Sequence, residues 1–190
     1  MSKKSRTRTE ARQANKQTID CLALQKAQIH ESVAEQFAYA IVWAVVTVAI
    51  SVCFIIYDIQ VPDLRTFLIL ITLIPGGITV LCFVGAVRRQ RIARLFDGIS
   101  YASEETVMFR CRKVGFMERQ VSKWHSYLFC VVFYAEDGRV FYYVSPNKLG
   151  FCSLSSKDIK TRFVGTDMKL VCYRGTEIVK EFDAYKIHHK

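Results

Sequence analysis

Two stretches of this 190-residue chain, Phe37 to Tyr57 and Phe67 to Val87, contain no Asp, Glu, Lys, Arg or His. Each runs for about 21 residues, which as an α-helix covers roughly 30 Å, the thickness of a bilayer's hydrocarbon core. A helix on a soluble surface carries a polar stripe, whereas these runs offer only isolated Thr47, Ser51, Thr72 and Thr79. The pattern predicts transmembrane helices over 37–57 and 67–87. The residues before the first run are mostly polar, and the run itself exceeds the 7–15 residues of a cleaved leader's apolar core. The first span is therefore expected to stay in the mature protein.

The spans are separated only by residues 58–66, with the single cation Arg65, so they are expected to be antiparallel neighbours joined by an external connector. Cations gather on the other side. Lys3, Lys4, Arg6, Arg8, Arg12, Lys16 and Lys26 precede the first span, and Arg88, Arg89, Arg91 and Arg94 lie in a juxtamembrane linker over 88–97. By the positive-inside rule those four arginines orient the hairpin and both termini are cytoplasmic. The expected location is a cell inner or plasma membrane, with the chain crossing twice. Tyr39 and Tyr57 suit the interfacial aromatic belt, while Trp43 lies somewhat deep for it.

Residues 1–36 read as a basic tail running into an amphipathic helix, with Ile19, Leu22 and Ile29 at spacings of three and seven. Its cations are expected to meet the bilayer and its anionic headgroups. Ser2 excludes amino-terminal myristoylation, which requires Gly. Within the second span, Pro75 removes a backbone donor and frees the carbonyl of Ile71, for which the hydroxyl of Thr72 is a local partner. A kink at Pro75-Gly76-Gly77 is expected. The small residues read best as a close-packing surface, extended by Gly85 on the face of Gly77.

Beyond the arginines the hydropathy changes from a helical to an alternating period, opening a β-domain over 98–185, with 186–190 a short tail. Val107, Phe109 and Cys111 face one way and Arg110 and Arg112 the other, as on a half-buried strand. Tyr127 to Tyr134 is apolar on both faces, a central strand. Glu136-Asp137-Gly138 signals a tight turn into Arg139 to Val144. Ser155-Ser-Lys-Asp158 resembles a capping box, with Ile159 and Phe163 on one face and Gly165 as a stop. Met168 to Tyr173 and Thr176 to Phe182, joined at Arg174-Gly175, form a second hairpin.

The predicted fold is thus a membrane α-helical hairpin plus a small β-barrel of order β-β-β-α-β-β. That order resembles the OB-fold, whose helix likewise lies between strands three and four; an SH3-like barrel fits the strands nearly as well. Tyr143-Val-Ser-Pro146 and Val171-Cys-Tyr173, within this layout, are similar to stretches of uncharacterised two-transmembrane bacterial membrane proteins with a small cytoplasmic β-domain. The resemblance implies a bacterial inner-membrane protein and no chemistry.

Nothing in the sequence assembles a catalytic set. Cysteines 21, 53, 82, 111, 130, 152 and 172 form no CxxC pair. Cys111, Cys130 and Cys172 fall within apolar strands, so reduced structural thiols are expected, with no metal and no cofactor. His188 and His189 sit in a charged tail, and no GxSxG or glycine-rich phosphate cradle occurs. The expected function is therefore non-enzymatic. The hairpin would anchor a β-domain that docks a protein partner or a second copy, as an adaptor or complex subunit. The alternative is a sensor whose barrel binds a nucleotide, nucleic acid or other anion. On an OB-like barrel that ligand would meet Lys123, Trp124 and His125 of the first loop, Tyr142 or its opposite-facing neighbour Tyr143, and Arg174 of the last turn.

Overall fold

The structure, a computed structural model, describes residues 3–60, 65–99, 103–122, 125–147 and 156–182. Helix α1 spans Lys3–Gln60 and α2 spans Arg65–Asp97. Strands β1 (Glu104–Ser122), β2 (His125–Ala135) and β3 (Val140–Val144) follow, then α3 (Ser156–Phe163), β4 (Asp167–Tyr173) and β5 (Ile178–Glu181). The order is the expected β-β-β-α-β-β. Contacts divide the chain into two compact units, His30–Ala93 on one hand and Met1–Ile29 together with Arg94–Lys190 on the other.

The unit His30–Ala93 is an antiparallel helical hairpin. Phe37 meets the ring of Phe83 edge-on at 6.1 Å, the hydroxyls of Thr47 and Thr79 lie 3.3 Å apart, and Arg89 reaches the hydroxyl of Ser32 at 2.8 Å. Both helices are long and apolar enough to cross a membrane, and large side chains such as Ile41, Val45, Val48 and Leu81 face outward. Helix α2 stays helical through Pro75, whose carbonyl accepts from the hydroxyl of Thr79 at 2.9 Å. The expected pairing of Gly77 with Gly85 needs correcting. A side chain at Gly85 would meet Gln36, and one at Gly76 would meet Thr47, but one at Gly77 would meet nothing within 4 Å. Adjacent helical residues point about 100° apart, so only one of the two glycines can face α1 at that level.

In the other unit the five strands close into a barrel in the order β1-β2-β3-β5-β4, with β4 returning to β1. Only the β3–β5 pair is parallel. The alternation of Val107, Phe109 and Cys111 against Arg110 and Arg112 marks only part of β1; the strand extends across Glu104–Ser122, because its first half pairs with β4 and its second with β2. Register shifts at Cys111/Lys113 and Met117/Glu118 bend it between these two partners, the usual consequence of an inserted residue. Phe109, Cys111, Val131, Phe133, Phe141, Tyr143, Leu170 and Cys172 fill the interior. Ile159 and Phe163 of α3 join the same core, with Phe163 edge-on to Phe133 at 6.1 Å.

The turn residues follow their backbone requirements. Gly138, at φ 89°, lets the β2–β3 hairpin close through a bond from Ala135 N–H to Arg139 O at 2.9 Å. Gly165, at φ 83°, ends α3 and donates its N–H to Cys111 O at 2.7 Å, tying the helix to β1.

Candidate functional site

Alternation along the strands gives the barrel an inner and an outer wall, and the outer wall has two contrasting regions. The first lies where β3 meets β5. Their parallel register consists of Tyr142 with Ile178 and Tyr143 with Val179. At the end of this short ladder the carbonyls of Val144, Val179 and Lys180 all accept from one group, Nε2 of Gln25 on α1, at 2.8, 3.3 and 3.3 Å. The oxygen of the same amide accepts from the Tyr173 hydroxyl at 2.9 Å. Gln25 is fully buried. A carboxamide offers two donors and one acceptor oxygen, and here it uses both functions at once.

On the same stretch of α1 Leu22 and Ile29 are buried, and Lys26 donates to the carbonyl of Ile99 at 3.4 Å. Lys180 is almost wholly buried and pairs with the half-exposed Glu104 of β1, joining β5 to β1 across β4. Burial holds the Tyr173 phenol far above the ordinary tyrosine range, with the Cys21 thiol beside it adding to the shift. A buried, neutral hydroxyl is the state that can donate to Gln25.

The second region is open. Gly115 of β1, Val132 of β2 and Tyr142 of β3 lie opposite one another in register, forming one row across the outer wall. The ring of Tyr134 covers Gly115, where a Cβ would sit 3.4 Å from Cε2. The ammonium of Lys113 lies 5.7 Å from the centre of the same ring. Tyr134 is 38% exposed and Tyr142 half-buried. Partial burial raises the Tyr142 phenol, helped by neighbouring Tyr134 and Glu177. The row is a shallow aromatic shelf with one cation at its edge.

The residues singled out from sequence fall in different places. Tyr142 lies on this shelf. Tyr143 points into the core, where its ring meets Phe182 at 5.5 Å and burial pushes its phenol up. The two alternate across the wall, so they cannot line one surface together. Arg174 is exposed in the β4–β5 turn, its N–H donating to Ser103 O at 2.8 Å. Lys123 and Trp124 lie outside the described residues, as does the side chain of His125. Of the four arginines, Arg88, Arg91 and Arg94 are exposed, whereas Arg89 is held against Ser32. Cys111, Cys130 and Cys172 are buried and unbridged; Cys152 lies outside the described residues.

Sequence reasoning missed Gln25, Lys113, Gly115 and Tyr134. A signal existed for the first: Gln25 falls three residues after Leu22 and four before Ile29, a carboxamide on an otherwise apolar stripe. Among the described residues no three His, Cys, Asp or Glu side chains converge as metal ligands would. The shelf can stack a planar group or seat an apolar side chain, and it places no nucleophile beside a base. No protein-family model, curated protein or solved structure matches this chain.

Proposed function

We propose that this is a non-enzymatic membrane protein whose helical hairpin, both termini cytoplasmic, anchors an OB-like barrel that docks a protein partner. The strand order β1-β2-β3-β5-β4 with α3 between β3 and β4 supports the OB-like reading over an SH3-like one. The asymmetry of Lys and Arg about the two apolar helices supports the orientation, and a bacterial inner membrane rests on the resemblance alone.

The observation that carries the docking role is the shelf of Gly115, Tyr134 and Tyr142. Tyrosines that are partly buried on a rigid strand surface present large area at little entropic cost, which is why they recur at the centres of interfaces. A photo-crosslinking residue at Tyr142 of the full chain in its native membrane should give an adduct of defined mass that disappears when Tyr134→Ala is added. Retention of the adduct in that variant, or crosslinks to lipid alone, would refute the docking role.

The ammonium of Lys113 beside the Tyr134 ring favours a second reading, a planar anion stacked on the shelf. Nucleotides should then raise the melting temperature of the detergent-purified full chain in a salt-sensitive manner that Lys113→Ala abolishes. A response that survives this substitution excludes the shelf as the anion's site.

A further inference from the structure

Among the described residues, the fifteen side chains of the barrel's inner core include none from α1 or α2. What α1 supplies is instead a cover on the outer wall: Gln25 is buried against the seam, and Leu22, Gln28 and Ile29 are buried on the same stretch of helix.

The β3–β5 seam beneath this cover is thinly paired. Its ladder and the β4–β5 ladder have two residue pairs each, against ten along β1–β2 and seven along β1–β4, so β5 is the least-paired strand of the barrel. Three carbonyls at the ladder's end share the two protons of one carboxamide, and only the bond to Val144 is short. When α1 is withdrawn, those carbonyls and the Tyr173 hydroxyl meet water, which can take over each bond; a buried orphan appears only if the helix stays in place with its amide removed. Opening therefore needs no rearrangement of the interior.

We propose that residues 20–29 of α1 form a releasable latch on the β3–β5 seam, with Gln25 as its catch. In the latched state the amide completes the closure of the barrel; in the released state the outer wall of β3, β4 and β5, with the end of β2 opposite Val144, is uncovered while the inner core remains packed. Helix α1 is uninterrupted from Lys3 to Gln60, so the catch and the apolar stretch of the chain belong to one element. The shelf connects to the same catch through β3, where Tyr142 lies two residues from Val144. The latch goes beyond the docking role and does not depend on it, since its evidence is all at the seam.

The cysteines supply an internal gauge. Cys130 lies directly opposite Val144 in the β2–β3 register and is fully buried, yet it does not belong to the inner core. Directly opposed residues point to the same side of a sheet, so Cys130 lies on the wall that the latch covers. Cys111 and Cys172 are fully buried within the interior.

The test uses the full chain in detergent, alkylated under native conditions, with each cysteine quantified by peptide mass spectrometry. Gln25→Met keeps the length and removes every polar bond; Gln25→Asn keeps the amide one methylene short of its acceptors. In both variants Cys130 should react faster, by about tenfold if one or two net hydrogen bonds are lost, while Cys111 and Cys172 keep their wild-type rates. A joint rise of all three, or no rise at Cys130, would overturn the latch. Hydrogen exchange on the wild-type chain decides the matter if the variants do not fold. Amides of 142–144 and 178–181 should open in a separate, lower-energy step than those of 131–133, and a single common opening would refute the proposal.

Discussion

The phenol of Tyr173 donates to Oε1 of Gln25 at 2.9 Å, joining β4 to a helical residue 148 positions earlier in the chain. Both partners are fully buried, so the bond has no competing water. Tyr173→Phe leaves the amide oxygen buried and unpaired and should lower stability by about 1–3 kcal/mol. Paired with Gln25→Met, the loss should be smaller than the sum of the single losses, because each substitution removes the same bond. Denaturant unfolding of the four proteins in one detergent measures this coupling, and strict additivity would exclude it.

Alkaline conditions should weaken the barrel. Burial raises the phenols of Tyr143 and Tyr173 well above their ordinary value of 10.0 and pushes the Cys172 thiol from 9.0 up to about 11. Each folded-state pKa is raised, so the folded protein retains protons that the unfolded chain releases. The associated stability is whole below the unfolded values and is lost as pH rises through the folded ones. Melting temperature should hold up to about pH 9 and then fall, and Tyr143→Phe should flatten the decline. A melting temperature unchanged into the range where free tyrosine ionises would contradict this.

Gly138 tests a purely backbone cost. Its φ of 89° lies in the left-handed region, and an added Cβ would meet nothing within 4 Å. Gly138→Ala should therefore destabilise by about 1–2 kcal/mol through local strain alone, with Gly138→Asn recovering part of the loss. Equal losses for Ala and Asn would show that something other than the turn conformation is at work.

The four juxtamembrane arginines should separate into two kinds. Arg89 donates to both the carbonyl and the hydroxyl of Ser32, at 3.3 and 2.8 Å, so Arg89→Ala should loosen the hairpin as well as remove a charge. Arg88 and Arg91 are exposed, and their replacement by Ala should shift the orientation reported by carboxyl-terminal fusions while leaving thermal stability within about 0.5 kcal/mol of wild type. If Arg89→Ala melts like the exposed pair, the Ser32 contact contributes nothing.

Elements governed by local pattern were readable in the sequence. The alternation of Phe109 and Cys111 against Arg110 and Arg112 marked a strand, the apolar run ending at Tyr134 marked a wall buried on both sides, and Ile159 with Phe163 marked the inner face of α3. Features set by distant partners were not. The extension of β1 to Ser122 depends on its having β4 along one half and β2 along the other, which no window of β1 residues contains. The shelf depends likewise on register, since Gly115 gains meaning only when Tyr134 lies over it. Gln25 was the intermediate case: its place on the apolar stripe was visible, but its acceptors lie more than a hundred residues away.

The parallel β3–β5 seam also orders events in the making of the protein. A chain grows from its amino terminus, so Gln25 is synthesised long before Val144 and longer still before Val179, 154 residues on. The β1–β2 and β2–β3 hairpins can form from neighbouring sequence, but the seam needs β5, and so do two of the bonds to Gln25, those of Val179 and Lys180. Loop-closure entropy makes such distant contacts the slowest to form. Helix α1 thus spends much of synthesis with its amide in water, and a chain stopped before β5 offers the catch Val144 and Tyr173 but neither of the β5 carbonyls.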